Sequence, residues 1–369
     1  MGLLDYYKQF EGLSPEEMSA DLREDARERR AKALSVLEPL DLSRTTWPEY
    51  PPSHVANAIT YAARRGLHRY RDRHASELRS ELAHHVGVGV DRLAVGDGVA
   101  QLLTAATQAL IEPGDELVTP WPSYGLYPLM ARRARGGAVP VPGFGTEAIL
   151  GAINERTRIV ALCNPNDPTG ELLGAGALGE LLDALPERVV VLLDEALRDY
   201  VDAEPVGATL PLLERHPRLL IFRTFSKAWG LAGLRCGYVV GGPESEPLLE
   251  RLAPELGVNE LAQAGALEAL RSLAPVVARR TALIAAARGS LVEELRARGL
   301  TVTPSQANVL WASAPGIDGA ELTARLERGG ITVAAGGQLG DADHVRITIP
   351  HRQTDTDRLL RVLDTALSQ

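Results

Sequence analysis

From about Val55 onward, stretches with helical spacing of apolar side chains alternate with short apolar runs. The runs fall at residues 115–119, 158–162, 189–193 and 219–222. Apolar runs of this length suit strands buried on both faces, and their alternation with helices predicts an α/β fold built on a mostly parallel sheet. After Gly241-Gly242-Pro243 a helical region rich in Ala, Leu and Arg extends to about Arg298. Two strand-like pieces, at 309–311 and 345–349, then frame a helix and precede a terminal one, as in a smaller α+β unit.

The first residues read differently. Ser14-Pro15-Glu16-Glu17 has the form of a capping box with proline at the first helical position, opening a highly charged helix to about Val36. Its charges fit a solvated face, or an arm laid across a second subunit. Pro48, Pro51 and Pro52 mark an irregular connection. The predicted organisation is an N-terminal helical arm at 1–45, a large α/β domain at 46–242 and a small α+β domain at 243–369.

Length and composition agree with two packed units: 369 residues, 45% of them apolar. A net charge of −9, dispersed without basic runs, argues against a nucleic-acid partner. Cys163 and Cys236 are far apart, which predicts neither a disulfide framework nor a metal site. No stretch approaches the roughly 18 apolar residues of a membrane span, and the start lacks the layout of a secretory signal. A cytoplasmic protein is the expectation. Met1-Gly2 does not make a myristoylation site, because Tyr stands at position 6.

In parallel sheets, ligands collect at the carboxyl ends of strands. The chemically suggestive residues follow the four runs in turn: Tyr124, the segment 164–170, Asp194 and Lys227. Lys227 sits in Thr224-Phe225-Ser226-Lys227-Ala228-Trp229-Gly230-Leu231-Ala232-Gly233-Leu234-Arg235. Alone, a lysine beside a serine is commonplace on a surface. Here it follows a buried run, where desolvation favours the neutral, nucleophilic amine that can form a Schiff base with an aldehyde. Thr224 and Ser226 offer hydroxyls to a phosphate, and Arg235 offers a planar fork.

The segment 224–235 resembles the lysine signature of class I/II aminotransferases, most closely the histidinol-phosphate aminotransferase branch. The likeness runs through ordered motifs from roughly Leu67 to Leu367. It implies the fold type I pyridoxal phosphate (PLP) architecture, with a large mostly parallel-sheet domain and a small C-terminal domain. By this resemblance Lys227 carries the cofactor, Asp194 pairs with its pyridine nitrogen and Tyr124 stacks on its ring. Gly98, Val99 and Ala100, in Gly96-Asp97-Gly98-Val99-Ala100, match the loop-to-helix segment whose backbone amides hold the phosphate. Tyr70 matches a tyrosine that reaches a neighbouring subunit's phosphate, which implies a homodimer. Arg346, in Val345-Arg346-Ile347-Thr348, matches the arginine that binds a substrate anion. Its alternative is an internal ion pair. Asn308 follows the pattern of a residue near the substrate.

Three departures stand out. Asp167, in Asn164-Pro165-Asn166-Asp167-Pro168-Thr169-Gly170, replaces an asparagine that donates to the cofactor's phenolic oxygen, and Leu197 replaces a tyrosine that does the same. An ionised aspartate cannot donate. Either Asp167 is protonated, or Asn164, Asn166 or Tyr200 compensates, or that oxygen has fewer hydrogen bonds. Ala334 stands where histidinol-phosphate enzymes place a phosphate-binding arginine, and the N-terminal arm lacks the usual approach to the site. The resemblance implies transamination between an amino acid, or an amine derived from one, and a 2-oxo acid. Its rivals are decarboxylation or a lyase step on the same scaffold, and a protein that binds PLP without catalysis.

Overall fold

The computed structural model describes residues 39–70 and 72–368, together with Arg23. Apart from Arg23, the arm helix expected at 14–36 lies outside the described residues. In chain order the strands are β1 Leu40–Asp41, β2 Leu93–Gly96, β3 Glu116–Trp121, β4 Gly137–Pro142, β5 Thr157–Cys163, β6 Val190–Asp194, β7 Leu219–Thr224, β8 Gly237–Gly241, β9 Thr301–Val302, β10 Val309–Ser313, β11 Ile331–Thr332, β12 Ala334–Ala335 and β13 His344–Thr348.

Seven strands form the central sheet in the order β2-β8-β7-β6-β5-β3-β4. All pairings from β7 to β4 are parallel, and β8 runs antiparallel to both of its neighbours. The four apolar runs correspond to β3, β5, β6 and β7. Their apolar residues point alternately to the two faces of the sheet, and each face packs on its own core. Val160, Leu162, Val191, Leu193, Leu219 and Ile221 enter one cluster, whereas Ile159, Ala161, Leu192, Leu220 and Phe222 enter the other. Each large apolar side chain so buried contributes about 1.5–3 kcal/mol. The edge strand β4 carries Pro140 and Pro142, which an edge tolerates.

A second, four-stranded antiparallel sheet, β12-β13-β10-β9, is drawn from the C-terminal part of the chain. The helices Gly319–Arg328 and Gln353–Leu367 accompany it. The helical region after 243 resolves into three helices, Glu246–Leu252, Glu260–Ser272 and Ala274–Ala297. Asn259 caps the second, its side chain accepting from the Ala262 N–H at 2.9 Å. That helix packs on Ser53–Gly66 and Ser76–Val86, and Glu246–Leu252 packs on β2 and the helix Val99–Leu110. By packing, then, the large unit continues past the expected boundary at 242 and includes both of these helices.

Residues 39–45, placed in the arm but beyond the end of its expected helix near Val36, include a short strand. Leu40–Asp41 is a strand that pairs in parallel with β11. Thr348 then donates its N–H to the Leu42 carbonyl (2.9 Å) and its hydroxyl to the Arg44 carbonyl (3.0 Å). A helix would satisfy these carbonyls within the chain. Here the C-terminal sheet supplies the donors, so the segment stays extended.

Candidate active site

The parallel register sets the strand ends side by side, with Cys163 opposite Asp194 and Asp194 opposite Phe222. The residues that follow β3, β5, β6 and β7 therefore meet at one edge of the sheet. They line a cavity of about 190 Å3 that collects nine of the expected residues: Val99, Ala100, Tyr124, Asp167, Asp194, Thr224, Ser226, Lys227 and Arg235.

One part of the cavity suits an anion. Gly98 precedes the helix Val99–Leu110 at φ +83°, and a side chain there would meet the Arg235 guanidinium, with a Cβ 2.5 Å from Nη2. The glycine is thus needed for both its backbone angle and its close approach. Arg235 itself adopts φ +53°, a conformation that costs a non-glycine residue free energy and aims the fork at the helix start. Its Nη1 lies 3.5 Å from Ser226 Oγ and donates to the Ala232 carbonyl at 3.1 Å. A helix N-terminus, a guanidinium and hydroxyls are groups suited to a phosphate. The Thr224 hydroxyl also serves the loop, accepting from the Ser226 N–H at 3.1 Å.

Asp194 is buried, and burial raises its carboxyl from 3.8 to about 6. Hydrogen bonds from the Ala196 N–H and the Tyr127 hydroxyl, each 3.0 Å, work in the opposite direction. Tyr127 was not among the residues singled out from sequence. It is fully buried and its ring meets that of Tyr124 edge-on, with centroids 5.7 Å apart. The signal lay three positions after Tyr124, in an aromatic entering the helix Leu126–Arg133. Burial also lowers the Lys227 amine below the ordinary lysine range, with Asp167 opposing and Arg346 reinforcing that effect. The amine hydrogen-bonds to the Thr45 hydroxyl.

That contact corrects the expectation that the N-terminal segment stays away from the site. Residues 42–46 cross it, with Thr46 on the cavity wall, Thr45 on Lys227 and the Thr45 carbonyl accepting from Asn308 Nδ2 at 3.0 Å. Asn308 does not line the cavity that holds Lys227. It lines a neighbouring one that shares Thr46. Tyr70 also stands apart from the cavity, 83% exposed on this chain.

The three compensating donors considered for the phenolic oxygen are otherwise engaged or displaced. Asn164 exchanges two 2.8 Å hydrogen bonds with the Leu173 backbone. Asn166 accepts from the Ser123 hydroxyl and donates to the Pro122 carbonyl and the Thr169 hydroxyl. Tyr200 lines the neighbouring cavity. Leu197 presents an apolar wall. Asp167 accepts from Arg346 Nη1 at 2.5 Å, so Arg346 takes its internal-pair alternative in this structure.

A doubly wound sheet with a lysine, a buried aspartate and groups suited to a phosphate at its carboxyl edge defines a fold type I PLP protein, and these residues fit that cofactor. The profile of the family "Aminotransferase class I and II" matches residues 34–363. An aromatic amino acid aminotransferase of Corynebacterium efficiens is 37% identical over 319 residues, covering 85% of this chain and 89% of the relative. A histidinol-phosphate aminotransferase of Nitrosococcus oceani is 36% identical over 322 residues, covering 86% of each. The crystal structure of histidinol-phosphate aminotransferase from Sinorhizobium meliloti, in complex with pyridoxal-5'-phosphate, superposes with a TM-score of 0.80 at 25% identity, covering 92% of this chain and 94% of the other. The chain belongs to the class I and II aminotransferase family. It is a PLP-dependent enzyme that catalyses transamination.

Proposed function

We propose that Lys227 is the residue that binds PLP covalently and then moves the proton of the reaction. The observation that carries this reading is the placement of the Lys227 amine in one cavity with Asp194 and Arg235. When bound, the cofactor supplies an electron sink for charge developing on the substrate α-carbon. Once the amino donor displaces it, the desolvated Lys227 amine, held below the usual lysine range, would accept the substrate α-proton and could then donate it on the cofactor side. Asp194 is the counter-ion of the pyridine nitrogen. A cation there favours its ionised form against the burial that raises it to about 6. Arg235, Ser226, Thr224 and the amides after Gly98 hold the phosphate, and Tyr124 covers the ring.

Arg346 and Asn308 belong to the substrate side, the first on β13 and the second just before β10. An amino donor and a 2-oxo acid acceptor use this one site in turn. Tyr70, turned outward, fits a role in the neighbouring site of a homodimer. A cytoplasmic enzyme accords with this reading, and among the described residues no helix is long and apolar enough to cross a membrane.

The test is an absorbance spectrum with PLP before and after borohydride, followed by peptide mapping, for wild type and Lys227→Ala. Wild type is expected to carry the reduced cofactor on Lys227, and the variant to carry none. A cofactor fixed on another lysine, or none fixed in wild type, would overturn the assignment.

A further inference from the structure

Arg346 is the cation available to a substrate anion on the C-terminal sheet, and its fork is already engaged. Nη1 donates to Asp167 Oδ1 at 2.5 Å, and Nη2 donates to the Ser43 carbonyl at 2.6 Å. Both members of the ion pair are about one-eighth exposed, 12% each. A carboxylate requires two parallel donors from a guanidinium for its strongest binding. Arg346 keeps an unpartnered Nε and a second hydrogen on each Nη, so an incoming carboxylate can reach the guanidinium, but it then lies beside the Asp167 carboxylate in a desolvated site. Like charges so placed oppose binding.

We propose that Asp167 is a specificity-determining residue that selects against an α-carboxylate, so that the preferred amino donor bears an uncharged polar group, such as a hydroxymethyl, on its reacting carbon. This rests on the transamination reading above and names the substrate class of that site. A hydroxyl suits the ion pair as it stands, because it donates to a carboxylate and accepts from a guanidinium N–H at once. Arg346 Nε is buried and has no hydrogen-bond partner, leaving a donor for such a group. Asp167 lines the Lys227 cavity, and both Asp167 and Arg346 act electrostatically on the Lys227 amine. The selecting pair thus lies within reach of the reacting centre. The 2-oxo acid acceptor meets the same obstacle, so its half-reaction saturates only at high acceptor concentration.

The experiment uses the PLP-loaded enzyme and probes that differ in one group. Conversion of bound cofactor is followed with phenylalanine or phenylalaninol alone, and binding of the non-reacting hydrocinnamate and 3-phenylpropanol is measured by calorimetry. Wild type is expected to favour the alcohol of each pair by about tenfold or more, the scale on which an unpaired polar group discriminates. Asp167→Asn should shift both ratios toward the carboxylate by a similar factor. Arg346→Gln, which leaves Asp167 without its partner, should weaken hydrocinnamate further. A wild-type preference for the carboxylate, or ratios unchanged in Asp167→Asn, overturns the proposal. If no donor of either kind converts the cofactor, the transamination roles fail separately and the binding ratios still decide this one. Should Asp167→Asn not fold, the wild-type ratios and Arg346→Gln decide it.

Discussion

Replacing Asp194 by Asn should have opposite effects on the apoprotein and on cofactor binding. An aspartate that ionises at 3.8 when exposed is held protonated up to about 6 by burial. The Asp194 contribution to folding is therefore complete below 3.8 and is lost as pH rises to about 6. Above that pH the ionised carboxylate costs the apoprotein about 3 kcal/mol, from the gap between 3.8 and about 6 at about 1.4 kcal/mol per decade. Asn has the same shape, can accept from the Ala196 N–H and can present its amide to the Tyr127 oxygen, but it never ionises. Apo Asp194→Asn should thus be more stable than wild type by about 2–3 kcal/mol at about pH 7.5, with the gain shrinking toward pH 4. The same change removes a charged hydrogen bond to the cofactor, worth about 2 kcal/mol or roughly 30-fold in affinity. Urea unfolding of both apoproteins across this pH range, with PLP titration of each, provides the assay. An apo variant no more stable than wild type at neutral pH, or a gain independent of pH, would refute the linkage.

Two further changes probe the surroundings of the cofactor. Tyr127→Phe deletes one of the two 3.0 Å hydrogen bonds on the Asp194 carboxylate, and PLP affinity should fall by about 5- to 30-fold, the value of about 1–2 kcal/mol. Titration of the apoprotein checks this, and an unchanged affinity would leave the Ala196 N–H as the sufficient support. Gly98→Ala forces a side chain into φ +83° and to within 2.5 Å of Arg235 Nη2, a strain of about 1–3 kcal/mol. It should weaken PLP more than pyridoxal, which lacks the phosphate. Equal losses for both would point to general disruption instead.

The parts legible in sequence were those buried on both faces. β5, β6 and β7 announce themselves through runs of large apolar residues, whereas β2 ends in glycine, β8 has glycine at both ends and β4 carries edge prolines. The residues after each strand were legible as a group because a parallel sheet brings its carboxyl ends together. Pairings between distant segments were not. Asp167 meets Arg346 across 179 positions, and Lys227 meets Thr45 across 182, with no local pattern to reveal either. The course of residues 40–44 had no local signal, because their partners lie on β11 and β13.

Those distant pairings have one consequence in common. The segment 40–46 bonds to residues on both sides of the site. Leu40–Asp41 joins β11, Ser43 and Arg44 carbonyls take donors from Arg346 and Thr348 on β13, Thr45 receives Asn308 through its carbonyl and Lys227 through its hydroxyl, and Thr46 faces the cavity. A shift of β13 relative to the central sheet must therefore move this segment, break its bonds to Arg346 and Thr348, or break its bond to Lys227. Because Arg346 also holds Asp167 on the central sheet's side, release of Asp167 by a substrate and movement of the 42–46 backbone are mechanically coupled. The ion pair that selects the substrate and the hydroxyl that contacts the reacting lysine thus belong to one connected set of bonds, and a change at either end is felt at the other through the three residues Ser43, Arg44 and Thr45.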